Sequence, residues 1–191
     1  MPHISIIGSG NMGQVIAGLA GKGGGTVELI GHSDTDREVT GDIVVLAVPY
    51  PAVGQVIAQH GAQLAGKIVV DITNPLDFET FDSLTVPADS SAAAETAAAL
   101  PDSRVVKAFN TNFAGTLATG TAGGQPTTVL LAGDDADAKA VLAGVISAAG
   151  LRAVDAGSLK RARELEAVGF LQLTLAIGEK TSWTGGFSLA E

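Results

Sequence analysis

The stretch HISIIGSGNMGQVIAGLAG, residues 3–21, decides the fold. Its first five residues are mostly apolar and β-branched, which predicts a strand. The six that follow, Gly8-Ser9-Gly10-Asn11-Met12-Gly13, complete a G-x-G-x-x-G motif, and apolar residues then recur at helical spacing as far as the glycines at 21–25. Such a strand, turn and helix are typical of dinucleotide binding: Gly8 permits the tight turn, Gly10 lets the pyrophosphate approach, and Gly13 lets the helix pack on the strand. We therefore predict a nicotinamide or flavin dinucleotide, with its phosphates at the helix N-terminus.

Composition narrows the class of protein. A chain of 191 residues suits one α/β domain with a substantial core. A formal charge of −9 argues against nucleic acid or an anionic membrane surface as partner, and the lack of cysteine excludes disulfides and thiolate sites. The longest apolar stretch, residues 43–58, is broken by two prolines and is too short to span a membrane. We expect a cytoplasmic protein.

The end of the second predicted strand, residues 26–30, bears on the choice of cofactor. NAD-binding proteins usually place an acidic side chain there to bind the ribose hydroxyls. This chain has Gly31-His32-Ser33 instead, and Glu28 lies two residues early, where it should face a neighbour or solvent. This pattern favours NADP, because no carboxylate at the strand end repels a 2′-phosphate.

The residues after that strand include both cations and anions. Candidates to hold the 2′-phosphate are His32, Ser33 and Arg37, and Asp34 and Asp36 oppose them. Residues 33–42 leave room for about one helical turn, whereas a parallel crossover usually takes about a dozen residues or more. The helix that normally walls the adenine side should therefore be absent or vestigial, leaving that end of the cofactor exposed.

Two further strand ends should lie beside the glycine turn. Residues 42–48 form a continuous apolar run that predicts a strand buried on both faces, and residues 68–71 predict another. Ligands of open parallel sheets lie outside the carboxyl ends of the strands. Either the prolines there merely end the strands, or the following residues contact the cofactor: Val48, Pro49, Tyr50, Asn74 and Pro75.

A polar run follows the predicted strand at 104–109. Asn110-Thr111-Asn112-Phe113 places three small polar side chains at a carboxyl end. They are suited to bonding a nicotinamide carboxamide or a substrate carbonyl, and equally to capping the next helix, about 113–117. The sequence leaves these two alternatives open.

The overall prediction is a doubly wound, Rossmann-type, mainly parallel sheet in residues 1–156. A C-terminal helix and tail, residues 157–191, should pack on it as one unit. The charged start of that helix, residues 160–166, has the spacing of a solvated face with salt bridges, which we favour over the alternative of an anion site. The tail carries the only tryptophan, Trp183; it should pack on the core or a partner subunit, or shape the substrate pocket.

The sequence offers few groups for other chemistry. His3, His32 and His60 are scattered, so we predict no metal site. Lys107 lies inside a predicted strand and is expected to pair with a carboxylate. We predict no catalytic side chain, because hydride transfer between two stacked rings needs alignment and exclusion of water rather than an acid or base. This fits redox chemistry between two carriers.

Four motifs together carry a family resemblance: GSGNMG, DIVVLAVPYP, VVDITNPL and VVKAFNTNFAGTL. The chain resembles the deazaflavin-dependent (coenzyme F420-dependent) NADP reductases and their short bacterial dinucleotide-binding relatives. The resemblance implies that NADPH exchanges a hydride with a deazaflavin, commonly in a homodimer. It also implies that residues 8–13 hold the diphosphate and residues 31–33 the 2′-phosphate. Residues 48–50 would approach the two reacting rings, together with Asn110, Thr111, Asn112, Phe113 and Ala114.

The chain departs from that family at two points. The family usually has an arginine where this chain has His32 and Ser33, and the helix after the second strand is almost lost. A flavin or quinone is an alternative acceptor. The GNMGQVIA run also resembles pyrroline-5-carboxylate reductases, and β-hydroxyacid dehydrogenases open similarly. A non-enzymatic NADPH sensor is the alternative of a different class.

Overall fold

The computed structural model describes residues 2–34 and 37–189, in which nine strands and six α-helices form. The strands are β1 (His3–Ile7), β2 (Thr26–Ile30), β3 (Ile43–Leu46), β4 (Ile68–Asp71), β5 (Arg104–Lys107), β6 (Thr121–Ala122), β7 (Gln125–Pro126), β8 (Thr128–Gly133) and β9 (Arg152–Gly157). The helices are α1 (Asn11–Lys22), α2 (Val53–His60), α3 (Ala92–Ala99), α4 (Ala114–Thr119), α5 (Ala136–Ala148) and α6 (Ala162–Ile177). None of these helices is long and apolar enough to cross a membrane.

Seven of the strands form one sheet in the order β2-β1-β3-β4-β5-β8-β9. Neighbours are parallel throughout, except that β5 and β8 are antiparallel. Apolar clusters cover both faces: α1 and α5 contribute to one, and α2 and α3 to the other. The predicted Rossmann-type, mainly parallel α/β fold with a C-terminal helix is confirmed.

Strand β3 shows why its sequence is apolar without alternation. Ile43 and Val45 point into the cluster with α1, while Val44 and Leu46 point into the cluster with α2. All four residues are buried, because successive side chains face opposite layers of a covered sheet.

The direction of β8 was not predicted. After β5 the chain forms the short helix α4, which ends at left-handed Gly120, and then the hairpin β6–β7. This connection stays at the carboxyl edge of the sheet, where Asn112 Nδ2 donates to Thr128 O (2.9 Å) and Thr127 Oγ1 donates to Thr116 O (2.8 Å). Since the chain never crosses back to the other edge, β8 enters the sheet antiparallel to β5.

The connection from β2 to β3 is irregular, as expected. Residues 31–34 and 37–42 contain no helix; Asp36 lies outside the described residues. The buried Val39 covers the core, and its N–H donates to Gln63 Oε1 (2.8 Å). Glu28 turns toward its neighbours as predicted, accepting bonds from Ser5 Oγ and from Thr40 N (2.8 Å).

The start of α6 differs in part from its prediction. Arg161 and Glu164 do form an exposed ion pair (3.5 Å). Glu166, however, is 1% exposed and lies inside the protein, so its assignment to a solvated face was wrong. The reason is a buried cation on β5 that the local charge pattern does not show.

Candidate functional site

The glycine turn leaves no room for side chains at two of its three glycines. A Cβ at Gly8, where φ is +119°, would lie 2.1 Å from Ala47 O, and one at Gly13 would lie 2.0 Å from Gly8 O. A Cβ at Gly10 would meet nothing within 4 Å. Gly8 and Gly13 thus serve the fold, while Gly10 borders open space where a ligand can approach the backbone. This geometry fits a dinucleotide diphosphate.

The N-terminus of α1 adds an electrostatic preference. No side chain caps it, and its first turn has no acidic residue. The first N–H groups of a helix have no acceptor within the helix and carry a partial positive charge. Asn11, Met12 and Gly13 supply these groups, so this end is suited to phosphate oxygens.

A cavity of about 300 Å³, the loop cavity, opens beside the turn and runs along α2. The missing helix between β2 and β3 leaves this side of the sheet open. Seven of the predicted cofactor residues line it: Gly8, Ser9, Gly10, Gly31, His32, Val48 and Pro49. Three polar residues of α2 that sequence reasoning did not assign to the site also line it: Gln55, Gln59 and His60.

His60 stands out among these, because it is 3% exposed and its Nδ1 has no hydrogen-bond partner among the described residues. The sequence could have indicated these residues of the cavity, because positions 52, 55, 56, 59 and 60 share one face of a helix.

The charges at the end of β2 are mixed. His32 lines the loop cavity, whereas Ser33 and Arg37 do not, and Arg37 Nη1 donates to Leu29 O (3.1 Å). The Asp34 carboxylate accepts a bond from Gly31 N (2.8 Å). A carboxylate therefore does lie at this strand end. His32 is the predicted phosphate residue that the structure places in the cavity.

A second cavity of about 360 Å³, the asparagine cavity, begins where the glycine turn ends. It combines amide side chains with an apolar wall. Its lining is Asn11, Met12, Ile72, Asn74, Phe109, Asn110, Asn112, Phe113, Ala114, Gly115, Leu173 and Trp183. Residues predicted separately for cofactor and substrate thus meet in one space.

Two asparagines of this cavity are tied to each other. Asn110 Nδ2 donates to Asn74 Oδ1 (3.0 Å) and to Leu165 O (2.8 Å), and Asn74 Nδ2 donates to Asn110 O (2.9 Å). Gly169 of α6 lies against the pair, since a Cβ there would be 2.4 Å from Asn74 Oδ1. Phe109, with φ +61°, adopts a left-handed conformation just before Asn110. The amides are thus held by β4, β5 and α6 together.

The alternative that this polar run caps the next helix was wrong. The N-cap of α4 is Phe113, and no side chain caps the helix. Thr111 does not line the asparagine cavity. It is buried and lines a separate groove of about 390 Å³, the tail groove, beside Phe187 and Leu189. Asn110 and Asn112 lie on one side of the chain and Thr111 on the other.

Tyr50 and Pro75 line neither cavity. The Tyr50 hydroxyl donates to Glu95 Oε2 (2.5 Å). Burial, together with this bond to a carboxylate, raises the pKa of Tyr50 to about 12. The phenol therefore stays protonated at neutral pH and anchors the turn after β3 to α3.

Beneath the strand ends lies a buried ion cluster, Asp71, Lys107 and Glu166. Lys107 Nζ is 3.1 Å from Asp71 Oδ1 and 2.8 Å from Glu166 Oε1, and it donates to Thr73 O (2.5 Å). Glu166 also accepts bonds from Ala92 N (2.9 Å) and Ala93 N (3.2 Å) at the start of α3. The cluster joins β4, β5, α3 and α6, and it confirms the predicted pairing of Lys107.

The two carboxyls of this cluster respond differently to it. Burial opposes the ionisation of Asp71, but the charge of Lys107 and two bonds from Thr73 outweigh it and hold the pKa of that carboxyl below its ordinary value. Burial raises the pKa of the Glu166 carboxyl, and the nearby Asp71 charge adds to the rise. Within residues 2–34 and 37–189 no cluster of three or more His, Cys, Asp or Glu side chains is arranged to hold a metal ion.

Comparison with known proteins agrees with the fold and the motifs. Residues 30–75 match the family model "NADP oxidoreductase coenzyme F420-dependent". The F420-dependent NADP reductase of Methanocaldococcus jannaschii is 33% identical over 162 residues, covering 83% of this chain and 72% of that protein. The metalloreductase STEAP3 of Rattus norvegicus is 32% identical over 184 residues, 87% of this chain but 36% of that protein. A crystal structure of a proposed F420-dependent NADP reductase from Arthrobacter sp. FB24 superposes with a TM-score of 0.86 at 26% identity, covering 98% of this chain and 99% of that one.

Proposed function

Because the chain belongs to the family of coenzyme F420-dependent NADP oxidoreductases, we propose that it transfers a hydride between NADPH and a planar deazaflavin or flavin-like acceptor. One observation carries this proposal: the glycine turn borders both cavities. Gly8, Ser9 and Gly10 line the loop cavity, while Asn11 and Met12 line the asparagine cavity. A dinucleotide whose diphosphate lies on this turn would have one nucleoside on each side.

Each group of residues then has a role. The free amides at the start of α1 hold the diphosphate, and His32 faces the 2′-phosphate. When bound, NADPH supplies the hydride. Asn74 Nδ2 makes one bond within the protein, to Asn110 O, and keeps a second N–H for a ring carbonyl. The Oδ1 atoms of Asn110 and Asn112 have no partner among the described residues and can accept from ring or carboxamide N–H groups. Phe109, Phe113 and Leu173 exclude water. None of the side chains that line the asparagine cavity titrates near neutral pH, which fits a transfer that depends on alignment rather than on an acid or base.

Turnover tests this function directly. Loss of NADPH absorbance should be fast with coenzyme F420 or a flavin, and slow with a simple quinone. Oxidation only in the presence of a cyclic imine would contradict the proposal and support an enzyme like pyrroline-5-carboxylate reductase. NADPH binding without turnover of any acceptor would instead support a sensor.

Substitution of Asn110 by alanine should impair the acceptor rather than the cofactor. The amide holds Asn74 and the carbonyl of Leu165, so its loss loosens the polar wall of the asparagine cavity. We expect kcat/KM for the acceptor to fall about tenfold to hundredfold, with Kd for NADPH changed less than about threefold. Steady-state kinetics and calorimetry measure the two effects. A loss confined to NADPH affinity would make Asn110 a cofactor contact and place the acceptor elsewhere.

NADPH affinity should depend on His32, the candidate phosphate residue that lines the loop cavity. An imidazole ring can donate a hydrogen bond to a phosphate oxygen. We expect Kd for NADPH to rise about threefold to tenfold in the His32→Ala variant, while Kd for NADH stays within about twofold of the wild-type value. Calorimetry measures both values. An unchanged Kd for NADPH would show that another group, such as Ser33 or Arg37, holds the phosphate.

We also propose that the protein is cytoplasmic and that it is a homodimer, the latter as the resemblance to the family implies. Half-exposed apolar side chains around the tail groove support an interface there: Leu171, Phe187 and Leu189. Light scattering should give twice the mass of one chain, and Leu171→Glu should halve it without changing NADPH affinity. A monomeric mass for the wild-type protein would exclude the dimer.

A further inference from the structure

The tail at residues 181–189 contributes Trp183 to the lining of the asparagine cavity, and its backbone is held at three points. At Gly115 the approach is so close that a Cβ would lie 2.7 Å from Trp183 O. Phe187 N donates to Gln172 Oε1 (3.0 Å), and Arg152 Nη1 donates to Leu189 O (3.0 Å). Gln172 is itself held, because its Nε2 donates to Thr111 O (3.2 Å).

The indole that this tail carries is nevertheless half open. Trp183 is 53% exposed although it lines the cavity. It contacts Phe113, with ring centroids 5.0 Å apart and planes tilted by 58°. A fixed backbone together with an unburied aromatic face leaves apolar area that a ligand ring can cover, and covering it is favourable.

We propose, on the premise that the asparagine cavity takes the hydride acceptor, that Trp183 and Phe113 form an aromatic corner that holds the planar ring system of that acceptor. The amides of Asn74 and Asn110 lie in the same cavity, where they can hydrogen-bond polar groups at the edge of the ring system. The aromatic corner contacts the flat face of the ring system. A fused-ring deazaflavin or flavin covers the exposed indole of Trp183, which contacts the buried Phe113 (8% exposed), whereas a one-ring quinone or a cyclic imine offers too little area. The tail therefore contributes to selection of the acceptor.

Binding of 5-deazariboflavin in the presence of NADP⁺ tests this corner without requiring turnover. Kd should rise about tenfold in Trp183→Ala and recover to within about threefold in Trp183→Phe. Phe78→Ala is a matched control, because Phe78 is 52% exposed, contacts Phe81 (centroids 5.8 Å apart) and lines neither cavity. Its Kd should stay within about twofold of the wild-type value. Kd for NADP⁺ should be unchanged in all three variants.

The chain's single tryptophan provides a second measurement. Bound deazariboflavin should reduce quenching of the indole by acrylamide at least about twofold, since a ring on its face blocks the quencher. Turnover of F420 or flavin with no such protection and no effect of Trp183→Ala would overturn the aromatic corner and leave the proposed function intact. Protection without turnover would support the corner and contradict the proposed function. If neither turnover nor protection from acrylamide is observed, both the proposed function and the aromatic corner are contradicted.

Discussion

The Gly10→Val variant should lose NADPH affinity by about a hundredfold or more, yet unfold at the wild-type temperature. A Cβ at Gly10 meets nothing within 4 Å, and the backbone there (φ −71°, ψ −175°) is one that valine adopts readily. The added methyl groups would occupy the space in which the diphosphate approaches the turn. Calorimetry gives Kd, and thermal unfolding shows whether the fold is intact.

Gly18→Val is the matched control for this variant. Gly18 lies on the exposed side of α1, and a Cβ there also meets nothing within 4 Å. The same substitution should leave Kd for NADPH unchanged, and valine favours a helix slightly more than glycine does. Unchanged affinity in Gly10→Val would exclude the glycine turn as the diphosphate site.

Lys107→Met should destabilise the protein by about 3–5 kcal/mol at neutral pH. Lys107 is fully buried between two carboxylates, and methionine fills a similar volume without charge. Asp71 and Glu166 would then be left in the core without their cation, and an uncompensated buried charge is costly. Glu166→Gln is the control: it leaves the Asp71–Lys107 pair neutral and should cost about 1–2 kcal/mol. Urea unfolding measures both values, and equal losses in the two variants would contradict this account of the charges.

The buried ion cluster also makes the free energy of unfolding depend on pH, in a direction that follows from the two pKa shifts. The pKa of Asp71 is lowered on folding, so its contribution is present above the ordinary aspartate pKa and is lost as the pH falls through the lowered value. The raised pKa of Glu166 acts oppositely, reducing stability as the pH rises from the ordinary glutamate pKa through the raised one.

Without Lys107, both carboxyls should bind protons more tightly in the folded state than in the unfolded state. The stability gap between wild type and Lys107→Met should therefore narrow between about pH 7 and about pH 4. A constant gap over this range would show that packing, not charge, causes the loss.

The sequence by itself determined the elements and the glycine turn. Residues 3–13 specify strand, turn and helix through local sterics, since a Cβ at Gly8 or Gly13 would meet backbone atoms 2.1 or 2.0 Å away. The apolar run of β3 indicated burial on both faces, and the short segment before it indicated a missing helix. These features depend on neighbouring residues in the chain, and a local pattern is enough to predict them.

Only the tertiary structure decided how distant segments meet. Asn110 and Thr111 are adjacent in sequence, yet one lines the asparagine cavity and the other the tail groove. Both are held by α6, since Asn110 Nδ2 donates to Leu165 O and Thr111 O accepts from Gln172 Nε2. Glu166 belongs to a charged run, and only the arrival of Lys107 from β5 makes it an interior residue. Burial, partners and side-chain direction depend on contacts between segments far apart in the chain, and those contacts exist only after the sheet and α6 have packed together.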